Sequence, residues 1–498
     1  MNVNPITRLD YPDLDVIRVE DTYYMVSTTM HFMPGCEILQ SFDLVHWEHV
    51  TYVYETLDHT DAQQLKSGQN IYGQGMWAAS LRYHEGRFYI CFVANDTRKT
   101  YLYTSEKIDG PWKKQLIEGF YHDGSLLFDE DGRNYIVYGN DEIWITELNE
   151  DLTAPKKDGL HRLLVSDHKN PELGYEGSHI QKINGYYYIF LIHSLRDRWM
   201  RTEACFYSDS LEGEFTGGDV LCDDRGYCGQ GVAQGGIVDT PDGKWYAMLF
   251  QDSGAVGRIP ILLPVTWKDH FPFFGQNGHV PEEIEVHSTR PGYIYQPLVG
   301  SDDFCNGLLP RWQFNHDPDP RYYHLDALQG TYTITTREVC TELTQAVNTL
   351  TQRMSYPSCA AEVTVDASAL KDGDVAGLCA FQGCYAAVGI TKHHGKYEVL
   401  MLDKKEDGIL DMTEGTVVES HQMDFRLEAD FCNMKDEARC YYRVNKGDWL
   451  PIGTVHKLYF KLDHFTGCRF GLFCYAAEET GGSACFRDFK YYDVDEIS

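Results

Sequence analysis
The chain has 498 residues, 43% of them hydrophobic, and a formal net charge of -32, which is length for two or three domains and enough apolar mass for a sizeable core. With no basic stripe to offset it, that charge repels a polyanion such as nucleic acid and disfavours an anionic membrane surface, so a neutral or cationic substrate is expected; the same charge also serves solubility. The 15 cysteines are irregularly spaced, several lie inside apolar runs (Cys91 in FYICFV, Cys379 in AGLCAF), and none forms a paired CxxC of zinc spacing, so they read as small buried hydrophobes in a reducing compartment.

The chain opens on MNVNPITRLDYP, which lacks a charged stretch followed by an apolar one, and no apolar run reaches ~18 residues, so neither a secretion signal nor a membrane span is expected and the protein reads as cytoplasmic. LDYPDLDVIRVEDTYY (9–24) then sets Asp10, Asp13 and Asp15 at the start of the first expected strand and ends in an acidic turn and two tyrosines. The end of this stretch recurs. DTYY at 21–24 is followed by GRFY at 86–89, GRNY at 132–135, GYYY at 185–188 and GKWY at 243–246, and each runs on into apolar or alternating residues. One such hairpin every 46 to 65 residues, five times over, predicts a β-propeller of five blades with four strands to a blade. YTSEKIDGPW (103–112), FYSDSLEGEF (206–215) and the looser LQSFDLVHWE (39–48) read as outer hairpins of successive blades.

The repeat stops near Trp267, and a Pro- and Gly-rich stretch at 269–297 reads as closing segment and linker. The expected domains are therefore a propeller over 1–297 and a second domain over 298–498. Nine short alternating segments in the second, among them VAGLCAFQG, EARCYYRV, KLYFKLD and ACFRDFKYYDV, predict a two-sheet β-sandwich. The fold class is all-β, with no long amphipathic helix.

Inner strands of a propeller converge on its axis, so side chains at their ends meet though distant in sequence. Asp13 lies eight residues before Asp21, Asp123 nine before Gly132, and Glu176 nine before Gly185. Trp77 holds the same place in blade two and Gln234 in blade five. The shared offset puts three acids, an indole and an amide at one depth, which suits a small neutral polyol; Asp10 and Asp15 are expected to be solvated or capping, with lining of the mouth the alternative for Asp10. Three close acids cannot all ionise cheaply, so one stays protonated and can donate to a glycosidic oxygen while an ionised aspartate activates water. Three inner acids could equally bind a structural cation or solvate a channel, and the residue pattern leaves both open. Aromatic content of 13%, with 34 Tyr against 24 Phe, fits a sugar cleft and a β-rich fold alike.

With these residues in view, the chain resembles glycoside hydrolase family 43. That resemblance implies a five-bladed propeller with a C-terminal concanavalin A-like, jelly-roll sandwich. YPDLDVIRVEDTYYMVST resembles the general-base motif and implies Asp13 as base. HDGSLLFDEDG implies Asp123 as the aspartate that modulates the acid, and YEGSHIQKINGYYY implies Glu176 as the general acid. GMWAASLRYHEGRFY implies Trp77 as a wall of the sugar subsite. HFMPG (31–35) implies Phe32 and Met33 beside the sugar, and GRIPILLPVTW implies that Arg258 faces the substrate. Where many members carry a histidine that helps hold a central cation or water cluster, this chain has Gln234, so no cofactor is expected to be required and an axial calcium is in doubt. Leu14 replaces the proline common after the base, and His179 is expected to be structural. The implied activity is inverting, exo-acting release of terminal pentose, β-D-xylose or α-L-arabinofuranose, from short oligosaccharides. The sandwich is expected to act structurally, with a loop such as TKHHGKY (391–397) a candidate to close the cleft, though a carbohydrate-binding role is compatible. Rival readings are a non-catalytic sugar-binding propeller, a retaining fructan-active propeller and an endo-arabinanase; the oligomeric state stays open.

Overall fold
The computed structural model describes residues 2–493; 494–498, the end of the expected second domain, lie outside the described residues. Five four-stranded antiparallel sheets run in chain order from Asp15–Val19 to Phe271–Phe274. Their first strands, Asp15–Val19, Met76–His84, Ser125–Phe128, Glu176–Ile183 and Val232–Asp239, touch one another in a closed ring. This is the five-bladed propeller. Each Gly-aromatic repeat is the turn between a first and a second strand. Gly86, Gly132, Gly185 and Gly243 have φ of 77°, 81°, 84° and 80°, a conformation that glycine adopts without a Cβ penalty. In blade one Glu20 takes the left-handed position at φ 56°. The segments at 39–48, 103–112 and 206–215 are outer hairpins, joining third to fourth strands, but of blades one, two and four rather than of successive blades.

Between blades the alternate residues interlock. Tyr188, Phe190, Leu249 and Ile261 share one such layer, and Tyr135, Val137, Ile189 and Leu191 share the next. Asn2–Val3 pairs with Glu283–Ile284, so the two ends of the propeller segment meet.

The second domain packs a seven-stranded sheet against a nine-stranded one around a core that includes Leu350, Leu378, Phe425, Leu472 and Phe486. Two expectations change here. Phe32–Met33 is not beside the propeller axis. It is the edge strand of the nine-stranded sheet, pairing with Gln313–Asn315 of the sandwich. Phe32 is 0% exposed with the Arg469 guanidinium 3.5 Å from its ring centroid, and Met33 is 1% exposed. The Phe32 side chain is consumed by the seam between domains, among Leu343, Val375 and Phe381, and that of Met33 by the core between blades one and two, among Val26, Ile38 and Met76. KLYFKLD is not a strand either. The last strand before it is Leu450–Lys457, and the chain then leaves the sheet until Arg469–Ala476. Its alternation is satisfied differently: Leu458 is buried at 1%, Phe460 stands near Arg258, and Leu462 is 70% exposed.

That irregular segment is pressed into the propeller. Asp10 Oδ2 accepts from the Gly467 N–H at 2.8 Å, and the Cys468 N–H donates to the Ala255 carbonyl at 2.8 Å. A Cβ on Gly467 would lie 2.2 Å from the Val256 carbonyl oxygen, so no other residue fits this approach. Arg353 of the sandwich donates to the Asp10 carbonyl (2.9 Å) and to Glu37 Oε2 (2.8 Å). The expected closing loop 391–397 is turned elsewhere: it is a hairpin within the sandwich, with the Gly395 N–H on Asp372 Oδ1 and Lys392 Nζ on the Leu370 carbonyl.

Candidate active site
At one end of the propeller every inner strand carries a left-handed residue at the same depth: Asp13, Ala78, Asp123, Gly177 and Gln234, at φ 51°, 36°, 48°, 65° and 65°. Strand register slips beside three of them, between Trp77 and Ser80, Glu176 and His179, and Ala233 and Gly236. Such kinks re-aim side chains that a regular strand would send between blades. The repeated offset in the sequence is the footprint of this repeated kink. At Gly177 a Cβ would sit 2.6 Å from Gln234 Cδ, so the close approach of blades four and five requires glycine.

The three aspartates of the first segment have three different environments, all buried. Asp13 Oδ1 accepts from Arg258 Nη1 at 2.8 Å, and its Oδ2 accepts from Thr28 Oγ1 at 2.7 Å. Thr28 Oγ1 in turn accepts from the Ala78 N–H at 2.8 Å. Asp10, expected to be solvated or capping or to line the mouth, is buried and caps backbone N–H groups of both domains: its Oδ1 accepts from the Arg258 N–H at 2.7 Å and its Oδ2 from the Gly467 N–H at 2.8 Å. Asp15 points below the mouth. It accepts from Arg82 Nη1 at 2.7 Å and the Leu81 N–H at 2.8 Å, with His179 Nδ1 at 3.2 Å. Burial alone would raise Asp15, but the Arg82 and His179 contacts outweigh it and hold the carboxyl at about 2.

Across the mouth stand Asp123 and Glu176. Asp123 is 6% exposed, and its Oδ2 accepts from the Gly177 N–H at 3.0 Å. Burial, with Glu176 and Asp13 nearby, pushes its pKa up despite His122. Glu176 is more open, with 23% of its side chain exposed, and accepts from Asn140 Nδ2 at 3.0 Å. His122 Nε2 lies 3.5 Å from Glu176 Oε2 and 3.6 Å from Asp123 Oδ2. One donor atom from each of His122, Asp123 and Glu176 falls within 4.8 Å of the others. The carboxylates, Asp123 first, raise the imidazole to about 9 against its burial.

Trp77 lies beside this cluster, its ring 6.2 Å from His122, and its buried Nε1 has no partner among the described residues. Arg258, 2% exposed, is fixed by its bond to Asp13 and stacks under Phe465 of the sandwich at 4.2 Å. Phe465 is also 5.5 Å from Trp77. Gln234 is buried at the far wall with its N–H on Glu203 Oε2. The structure thus brings Asp13, Trp77, Asp123, Glu176, Gln234 and Arg258 to one mouth and leaves Phe32 and Met33 out. Sequence reading missed His122, although it directly precedes Asp123. It also missed Asn140, Thr28 and Phe465, whose partners are remote in the chain.

The axial residues do not fit calcium, which takes ~6–8 oxygen ligands. Both oxygens of Asp13 and both of Asp15 are already engaged, and the Arg82 guanidinium fills the charge role beneath them. What remains is an acid cluster walled by aromatic rings, suited to general acid–base chemistry on a neutral ligand.

Residues 3–272 match Glycosyl hydrolases family 43, and residues 301–492 match the Beta xylosidase C-terminal Concanavalin A-like domain. A curated relative, the Beta-xylosidase of Formosa agariphila, is 27% identical over 99% of this chain and 89% of its own length. The Xylosidase/arabinosidase of Butyrivibrio fibrisolvens is 24% identical over 99% of both chains. Among solved structures, a bifunctional GH43-CE protein of Bacteroides eggerthii is 42% identical with a TM-score of 0.93; it covers all of this chain, which spans 64% of that chain's length. A GH43 glycoside hydrolase engineered to display both endo-xylanase and exo-arabinofuranosidase activity is 28% identical, with a TM-score of 0.86 over 99% of both chains. With a family match over more than half of its length, and the acid mouth where an all-β propeller of this kind would place it, the chain belongs to family 43 of the glycosyl hydrolases and is a glycosidase.

Proposed function
We propose that the protein is an inverting exo-glycosidase that releases terminal pentose, β-D-xylose or α-L-arabinofuranose, from short xylo- or arabino-oligosaccharides. The observation that carries this reading is the division of the mouth. Asp13 is paired with the Arg258 guanidinium at 2.8 Å on one side, and Glu176 sits with Asp123 and His122 on the other. Glu176 protonates the leaving oxygen while Asp13 takes a proton from the attacking water, a single displacement that needs ~6.5–9.5 Å between the two carboxyl groups. Asp123 modulates the acid. Trp77 forms the apolar wall of the sugar site, and Arg258 and Gln234 line its polar side. Phe465 covers the mouth from the sandwich and favours chain ends over the open cleft that an endo-acting enzyme needs. The names of the relatives, xylosidase and arabinosidase, support pentose as the sugar. The reading calls for no metal, and a cytoplasmic setting would suit short imported oligosaccharides.

The test is hydrolysis of aryl β-D-xylopyranoside, aryl α-L-arabinofuranoside and xylobiose by the wild type and Glu176→Ala. The wild type should cleave at least one pentoside in the presence of EDTA. Glu176→Ala should lose about 10²–10⁴-fold on xylobiose and less on aryl substrates, whose leaving groups need less acid help. Unchanged activity of the variant would remove Glu176 as the acid.

A further inference from the structure
His122 has no part in a two-carboxylate mechanism, yet it stands inside the carboxylate cluster. Its Nε2 is 3.5 Å from Glu176 Oε2 and 3.6 Å from Asp123 Oδ2. The left-handed turn at Asp123 (φ 48°) lets two consecutive residues both face the mouth. The backbone there is pinned, with the His122 carbonyl accepting from the Gly139 N–H at 3.0 Å. The ring faces Trp77, and 20% of the side chain reaches solvent. A single Nε2–H thus lies within reach of two carboxylates, one of them the proposed acid. Single displacement leaves Glu176 bare and Asp13 protonated after each turnover, so the acid must regain a proton every cycle.

We propose that His122 holds the proton that Glu176 delivers. This rests on the reading of Glu176 as the acid. As substrate enters, the Nε2–H bond of His122 breaks and an Oε2–H bond forms on Glu176. That proton passes to the leaving oxygen as the glycosidic bond breaks, while water adds to the sugar and gives its own proton to Asp13. Asp13 then releases a proton to bulk water and the neutral imidazole takes one back. The enzyme returns to its starting state with one water consumed. The adjacent carboxylates keep the imidazole charged up to about 9, so the store is full at neutral pH.

The experiment is kcat/KM for xylobiose and for 4-nitrophenyl β-D-xylopyranoside across pH 5–10, in wild type, His122→Asn and His122→Ala. If arabinose is the preferred sugar, the matching arabinosides are used. On xylobiose the basic limb should move down by at least one pH unit in His122→Asn, a tenfold loss at the alkaline end relative to pH 6. The nitrophenyl substrate should respond far less. Added imidazole should restore His122→Ala at alkaline pH, which keeps the test open should one variant fold poorly. A basic limb that stays put, with both substrates losing equally, would make His122 a spacer and overturn the proposal. A limb that moves upward would also overturn it, since removing a mere positive charge would strengthen the acid's hold on its proton. Glu176→Ala separates the two claims: if it still cleaves xylobiose, the acid assignment fails; if it does not and the His122 profile is flat, only the proton store fails.

Discussion
The propeller axis has two layers, and the same residue types do opposite things in them. In the mouth, Asp123 is buried without a cationic partner of fixed charge, and its pKa rises. One layer down, Asp15 is buried at 1% yet held at about 2, because Arg82 meets it directly. Arg82 belongs to blade two, bonds Asp15 of blade one, Leu126 and Ser125 of blade three, and the Ile180 carbonyl of blade four. The lower layer is therefore a closed ion and hydrogen-bond knot that ties blades together. The upper layer is left under-neutralised and partly open. Burial alone thus does not decide how Asp15 and Asp123 shift; Arg82, in contact with Asp15 and not with Asp123, does.

Removing the knot should have the largest effect on stability. Asp15→Asn leaves Arg82 buried without its charge partner, and breaking such a pair costs about 3–5 kcal/mol. Thermal or denaturant unfolding should show that loss, while kcat/KM of the folded fraction changes little. A variant of normal stability with abolished turnover would place Asp15 in the working layer instead. Phe465→Ala should be milder. It removes the cover over Arg258 and one wall beside Trp77, and we expect about a tenfold fall in kcat/KM, roughly 1.4 kcal/mol, expressed mainly in KM. Phe465→Tyr should retain most of the activity, and longer oligosaccharides should become relatively better substrates of Phe465→Ala.

The smallest effect concerns acid. His31, His316 and His464 pack together with Tyr72 in the domain seam, and burial lowers all three imidazoles, His464 to about 4. Unfolded histidines protonate near ~6.5, so below that pH the unfolded chain binds more protons than the folded one. The stability these groups give is complete above pH ~6.5 and declines as pH falls toward 4. Asp15 runs on a lower window, since its depressed pKa protects stability until pH falls through the ordinary carboxylate range toward 2. Unfolding measured between pH 7 and 4.5 should therefore weaken, and His464→Phe should flatten the slope. An unchanged slope would mean that the seam histidines do not govern it.

Much of this architecture is written locally. A left-handed turn before each second strand leaves a Gly-aromatic mark, and a kink at each mouth leaves an acid, indole or amide at fixed distance from that mark. Asp13, Trp77, Asp123, Glu176 and Gln234 were legible for that reason. Phe32 and Met33 were misplaced because a buried apolar pair looks the same whether it faces a sugar, a second domain, as Phe32 does, or the core between blades, as Met33 does. Phe465 was hidden because it follows KLYFKLD, a segment that alternates like a strand but is irregular, and only the fold brings Arg258 and Trp77 to it. His122 was overlooked because a histidine beside an aspartate is common, and only the fold brings Glu176 to it.

The division of the mouth into a base side and an acid side is the central claim, and the anomer first released tests it most directly. Proton NMR should follow wild-type hydrolysis of xylobiose, or of the arabinoside if that is the substrate, before mutarotation. The account predicts the inverted sugar, α-D-xylose from a β-xyloside, appearing first. Initial release of the retained anomer would contradict it and make one of the mouth carboxylates a nucleophile.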